Sequence, residues 1–243
     1  MDTDDIILPY QEFFLNVDRG AVGVQAKELF KAVQGSQISR VKQLLNEGAD
    51  PNSYNIHGFT PLIIAASDGN NELCEILLNA GANLYARDNC KMTALHWAAN
   101  FTYTETCKLL LMHGAQVDDK DIYGNTALMY AAGWPTGYST SKLLIQFAAA
   151  PEMKNDQKKR AVDLSEESFN DMFRILLALG NDATQEERDM AANGFQGYWN
   201  IMEFLGSPEQ IHAEILRGEN PQIKRLKQEG FGNALMKREL GGK

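Results

Sequence analysis

The chain has 243 residues, 44% of them hydrophobic and 23% charged, which is enough for one large or two small domains with a buried core and excludes a disordered chain. Its 23 basic residues against 32 acidic ones leave a net charge of −9, which disfavours nonspecific nucleic-acid binding because phosphates are repelled on average. No apolar run approaches the roughly 18–20 residues that cross a bilayer, and Met1-Asp2-Thr3-Asp4-Asp5 is acidic where a signal peptide is basic, so neither a membrane anchor nor a cleavable export signal is expected.

In chain order, the first segment, residues 1–25, reads as an extension: residues 1–18 carry five acids and no base. Residues 217–243 have the opposite balance, with seven bases (Arg217, Lys224, Arg225, Lys227, Lys237, Arg238, Lys243) and three acids. Charge runs of this kind are most simply solvated faces; the functional alternative is attraction between neighbouring molecules or toward an acidic partner.

Between them the sequence repeats. Gly58-Phe59-Thr60-Pro61-Leu62, Lys91-Met92-Thr93-Ala94-Leu95-His96 and Gly124-Asn125-Thr126-Ala127-Leu128 set threonines at 60, 93 and 126, a spacing of 33 and 33. Gly48-Ala49, Gly81-Ala82 and Gly114-Ala115 recur at the same interval, each after a leucine-rich stretch. A threonine hydroxyl can cap a helix, Pro61 suits a first turn that needs no N–H, and a glycine after the second helix supplies the left-handed residue that ends it. The spacing therefore predicts a hairpin loop and two helices per unit.

This pattern resembles the ankyrin repeat, whose 33-residue signature has a T-P-L-H-x-A core; Thr93-Ala94-Leu95-His96-Trp97-Ala98 departs from it only at the proline. The resemblance implies an all-α ankyrin-repeat solenoid of helix-turn-helix units joined by short hairpin loops. Units are expected at about 26–52, 53–85, 86–118, 119–152 and 153–180, in a repeat region of 26–180. The first keeps Leu29 in register without the Thr-Pro, as suits a terminal cap. The fourth gains one residue, placed in Gly133-Trp134-Pro135-Thr136-Gly137, and the fifth is degenerate. Beyond Gly180, Thr184-Gln185-Glu186-Glu187, Ser207-Pro208-Glu209-Gln210 and Asn220-Pro221 mark further helix starts, so 181–243 is read as a helical C-terminal capping segment, with a sixth degenerate unit as the alternative.

Little in the sequence suggests catalysis. Cys74 and Cys107 share one outer-helix position and read as core residues beyond disulfide reach of each other; Cys90 is expected at an exposed hairpin tip. Three cysteines without a CxxC favour a reducing compartment, the cytoplasm or another, with specialised export left open. His57, His96, His113 and His212 show no metal-ligand spacing, and no phosphate loop, dinucleotide fingerprint or nucleophile elbow is present. The resemblance makes His96 structural, hydrogen-bonding between hairpins. Glu166-Glu167 and Glu186-Glu187 point roughly 100° apart on a helix and cannot share a substrate, and Gly241-Gly242 reads as a frayed end. No catalytic residue, cofactor or metal is expected.

In ankyrin-like stacks the hairpin tips and the exposed ends of the first helices make a concave binding face. The register puts there Ile56, His57, Phe59, Ser67 and Asp68, then Asn89, Cys90, Met92, Asn100 and Phe101, then Ile122, Tyr123, Asn125, Gly133 and Trp134, a set rich in interface-type side chains. Lys91 stands where neighbouring units have Gly58 and Gly124, a place that favours positive φ. The expected function is a nonenzymatic module (adaptor, inhibitor or assembly factor) binding a protein partner, without nucleic acid or membrane, and monomeric by preference. Two readings compete: an enzyme with a site around Tyr198, Trp199 and His212, and a secreted effector using the repeats on a host protein.

Overall fold

The computed structural model describes residues 24–179 and 185–205, with side-chain surroundings for all of these except 171–192, 203 and 204. Ten helices and no strand occur among the described residues: α1 (Val24–Gln34), α2 (Ile38–Asn46), α3 (Pro61–Ser67), α4 (Asn71–Asn79), α5 (Ala94–Asn100), α6 (Thr104–Met112), α7 (Ala127–Ala132), α8 (Tyr138–Gln146), α9 (Ala161–Leu179) and α10 (Gln185–Leu205). None is long and apolar enough to cross a membrane. The chain divides into two compact units, one ending at Ala127 and one starting at Leu128.

In the first unit, α1, α3 and α5 pack side by side as an inner row, and α2, α4 and α6 as an outer row, each helix also packing on the one that follows it. This is the two-layer solenoid that the period requires. Short inner helices with Ala65, Ala66, Ala98 and Ala99 buried let the rows approach closely, while Leu29, Phe30, Leu62, Leu73, Leu77, Leu95 and Leu110 fill the space between them. Thr60 Oγ1 accepts from the Ile63 N–H at 3.3 Å, with Pro61 in the first turn of α3. At the other end, Gly48, Gly81 and Gly114 lie at φ 90°, 86° and 95°, the left-handed geometry that ends each outer helix. Cys74 and Cys107 are buried and free, and burial pushes both thiols up to about 12, so they are neutral core groups.

In the second unit α8 starts 11 residues after α7, where α4 and α6 start 10 after α3 and α5, so the added residue does fall between these two helices. The turn is clamped by α10: the Tyr198 hydroxyl donates to the Gly133 carbonyl at 3.0 Å, and Gly197 packs so closely against Pro135 that a methyl group there would collide with the proline carbonyl. The fifth unit differs from the expected helix pair. Ala161–Leu179 is one helix of 19 residues, packed along α10 with Phe169 and Phe195 rings 5.1 Å apart. The reason is local: Asp68-Gly69-Asn70 breaks α3 from α4 with Gly69 at φ 67°, whereas Ser168-Phe169-Asn170 offers no glycine. Arg160 takes the threonine's place before this helix, and its backbone N–H donates to Asp163 Oδ2 at 2.8 Å. The start signals at 207–210 and 220–221 lie outside the described residues.

Candidate functional site

Each hairpin is built around one side-chain acceptor. Asn55 Oδ1 accepts from the N–H groups of His57 and Phe59 (both 3.0 Å), Asp88 Oδ1 from Cys90 and Met92 (both 2.8 Å), and Asp121 Oδ1 from Tyr123 (2.9 Å) and Asn125 (2.8 Å). In the second unit Asn155 Oδ1 takes the Lys159 N–H at 2.9 Å. These residues recur at 33, 33 and 34, and the expected site does not contain them. The first three hairpins also bond to one another, Asn89 N–H to the His57 carbonyl at 3.0 Å and Ile122 N–H to the Cys90 carbonyl at 2.9 Å. The tips are thus a fixed ladder rather than loose loops.

His96 ties the ladder to the helices. Its Nδ1 accepts from the Thr93 N–H at 3.2 Å and lies 2.9 Å from Thr93 Oγ1, which leaves Nε2 as the protonated nitrogen, donating to the carbonyls of Asp119 (3.0 Å) and Asn125 (3.3 Å). This is the structural, hairpin-bridging role the resemblance implies. Burial holds the imidazole below its ordinary value, against the opposing pull of these carbonyls and of Asp121 and Asp119.

Solvent reaches the tips unevenly. Ile56, Ile122 and Tyr123 are exposed, Tyr123 at 61%, as are Asp68, Asn89 and Cys90; His57, Asn100, Phe101 and Asn125 are half-buried. Three expected site residues are interior instead: Phe59, Ser67 and Met92 are 2%, 5% and 7% exposed. Phe59 and Met92 sit on the returning arm of the hairpin, where the chain has turned back toward α3 and α5, and the Ser67 hydroxyl donates to the Ile64 carbonyl at 2.8 Å inside α3. They correct the sequence-based list: packing fixes them. Cys90 is exposed, yet burial of its sulfur and the charges of Asp88 and Asp121 raise its pKa, so its surroundings do not make a nucleophilic thiolate. Lys91 does take a positive φ of 59°, matching Gly58 and Gly124 at 79° and 74°.

Beside the ladder runs a row of rings: His57 to Phe59 (6.4 Å), Phe59 to Trp97 (5.3 Å), Trp97 to Phe101 (6.3 Å, planes 19° apart) and Phe101 to Tyr103 (5.9 Å). The half-buried Trp97 joins the row to a hairpin through Nε1, which donates to Asp88 Oδ2 at 2.8 Å. Trp97 occupies the unspecified position of the repeat core, and Tyr103 lies beyond the helix ends that the register singles out; neither is on the expected list. In the second unit Trp134 is 48% exposed on its clamped turn. There Tyr198, invoked for a competing enzyme, is buried and bonded to Gly133, and His212 lies outside the described residues. No group of three or more His, Cys, Asp or Glu among the described residues could hold a metal ion.

Compared with known families, residues 29–121 match the one described as ankyrin repeats, in three copies. No curated protein matches the chain. The matched stretch contains the first two ladder hairpins whole and reaches Asp121, the acceptor that organises the third.

Proposed function

We propose that this chain, which carries ankyrin repeats over residues 29–121, is a nonenzymatic binding module whose hairpin tips and inner-helix ends engage a partner protein, in the manner of an adaptor, inhibitor or assembly factor. Ankyrin repeats are generally protein–protein interaction modules, and their family is typically non-enzymatic. The observation that carries the reading for this chain is the third hairpin. Its backbone is fixed by Asp121 and by the bond from Ile122 to Cys90, yet the side chains it fixes, Ile122 and Tyr123, are large, apolar and turned to solvent. A rigid scaffold presenting exposed aromatic and aliphatic groups binds without first ordering them, which is what a hot spot needs.

The test is capture of partners from lysate by the full chain and by an Ile122→Ala, Tyr123→Ala variant. Capture should fall at least about tenfold, the effect of losing one or two hot-spot side chains, with helical content and melting unchanged. Equal capture by both chains would reject this face. Phe59→Ala is unsuitable because Phe59 belongs to the core.

A further inference from the structure

Two carboxylates flank the aromatic row, and they differ. At the hairpin end, Asp88 is satisfied by the Trp97 indole and two backbone N–H groups. At the other end is Asp68, at the close of α3. Its side chain makes no hydrogen bond or ion pair among the described residues, and burial on one flank raises its pKa with no cation present to lower it. The next residue, Gly69, carries the Tyr103 ring so closely that a Cβ there would lie 2.9 Å from it. From Tyr103 the rings continue to Phe101 and Trp97.

A half-desolvated carboxylate without a counter-charge is costly, and aromatic faces attract cations. One carboxylate is too few for a divalent ion, which takes six or more oxygens. A guanidinium or ammonium on an apolar stem fits both features: the stem lies along the rings and the head meets the acid. The surrounding charge agrees, since residues 24–127 have eight bases and eleven acids within a chain of net charge −9. Building on the protein-binding reading above, we propose that Asp68 and the row Trp97–Phe101–Tyr103 seat a lysine or arginine side chain from a basic segment of the partner.

The probe is fluorescein-labelled tetra-arginine, read by anisotropy with the full chain at fixed salt, and tetra-glutamate should not bind. Asp68→Asn should weaken tetra-arginine binding about tenfold, as expected for loss of a charge-assisted hydrogen bond. Phe101→Leu should weaken it about threefold through the lost cation–π contact. Glu75→Gln, which removes one negative charge from the exposed side of α4, should leave it unchanged. Equal losses for Asp68→Asn and Glu75→Gln, or no binding of tetra-arginine at all, would overturn the proposal. The chain's own basic stretch is checked by changing Arg217, Lys224, Arg225 and Lys227 to Gln: unchanged affinity supports a partner as occupant, and a gain of about tenfold or more makes the stretch the occupant and overturns that assignment. If Ile122→Ala, Tyr123→Ala abolishes capture while tetra-arginine binding ignores Asp68→Asn, the binding-module reading stands and the cation seat falls.

Discussion

Trp97 Nε1 donates to Asp88 Oδ2 at 2.8 Å, so one indole joins an inner helix to the hairpin that precedes it. Asp88 is buried, and burial raises its carboxyl above the ordinary carboxylate range even though the indole and two amides pull it down. Trp97→Phe keeps the ring and removes the donor. It should cost about 1.5–3 kcal/mol in denaturant unfolding, as for loss of a hydrogen bond to a charged group. A change below about 0.5 kcal/mol, the usual level for surface substitutions, would mean that water replaces the indole.

Protonation of His96 sets a pH dependence. Adding a proton at Nδ1 turns a donor toward the Thr93 N–H that Nδ1 now accepts from, inside a site that already disfavours charge. The folded-state pKa is below the ordinary 6.5, so the unfolded chain binds the extra proton more readily. The contribution of His96 is therefore complete above pH 6.5 and is lost as pH falls below it toward the folded-state value. Melting temperature measured from about pH 8 down to about pH 5 should drop, with the drop beginning near the ordinary imidazole range. The slope should flatten in His96→Leu, which starts less stable, and an identical slope in that variant would assign the effect to other groups.

Two hydroxyls are buried without partners in the second unit, Ser141 Oγ and Ser165 Oγ. Ser141 is 34 residues after Cys107, at the place filled by Val41 and Cys74 in earlier units; Ser165 is 34 after Ala131, at the place of Ala65 and Ala98. Ser141→Cys and Ser165→Ala restore what those places hold elsewhere. Each should raise unfolding free energy by about 1 kcal/mol, the low end of the cost of an unsatisfied buried hydroxyl. A loss of stability in either would show that the hydroxyl is satisfied in solution.

Lys91 and Gly58 should respond in opposite directions. Lys91 is at φ 59°, and Lys91→Gly should stabilise by about 1 kcal/mol by removing left-handed strain. Gly58 is at φ 79°, and a Cβ there would be 2.8 Å from the Asn89 amide nitrogen, inside the hairpin-to-hairpin contact. Gly58→Ala should therefore cost about 1–3 kcal/mol and lower the melting temperature. Equal and small changes at both positions would mean that the hairpins relax freely.

Sequence exposes those features of the fold that backbone geometry ties to one residue type. Thr60, Thr93, Gly81 and Gly114 are legible because a cap needs a hydroxyl and a left-handed turn prefers glycine. The acceptors at 55, 88, 121 and 155 are equally periodic but alternate between Asn and Asp, since either supplies the required oxygen, and identity matching passes over them. Phe59 and Met92 were beyond a register argument for a different reason. Tip and returning arm are separated by one or two residues, and a side chain changes face over that distance while its place in the repeat barely changes. The undivided α9 is similar: the absence of a glycine at 168–170 is visible, but its effect depends on α10 offering a long surface to pack against.

The ladder bonds of the first unit, from Asn89 to His57 and from Ile122 to Cys90, each close a chain segment of 32 residues, whereas the bond that clamps the second unit, from Tyr198 to Gly133, closes 65. Doubling the segment adds only about 0.6 kcal/mol of closure entropy, but that entropy must be lost before any contact compensates for it. The first unit can therefore grow from any neighbouring pair of repeats, and the turn bearing Trp134 acquires its final form only when α10 returns to it. Pulse-labelled hydrogen exchange during refolding should protect the amides of α3 and α5 before those of 133–137, and the reverse order would place the folding nucleus in the second unit.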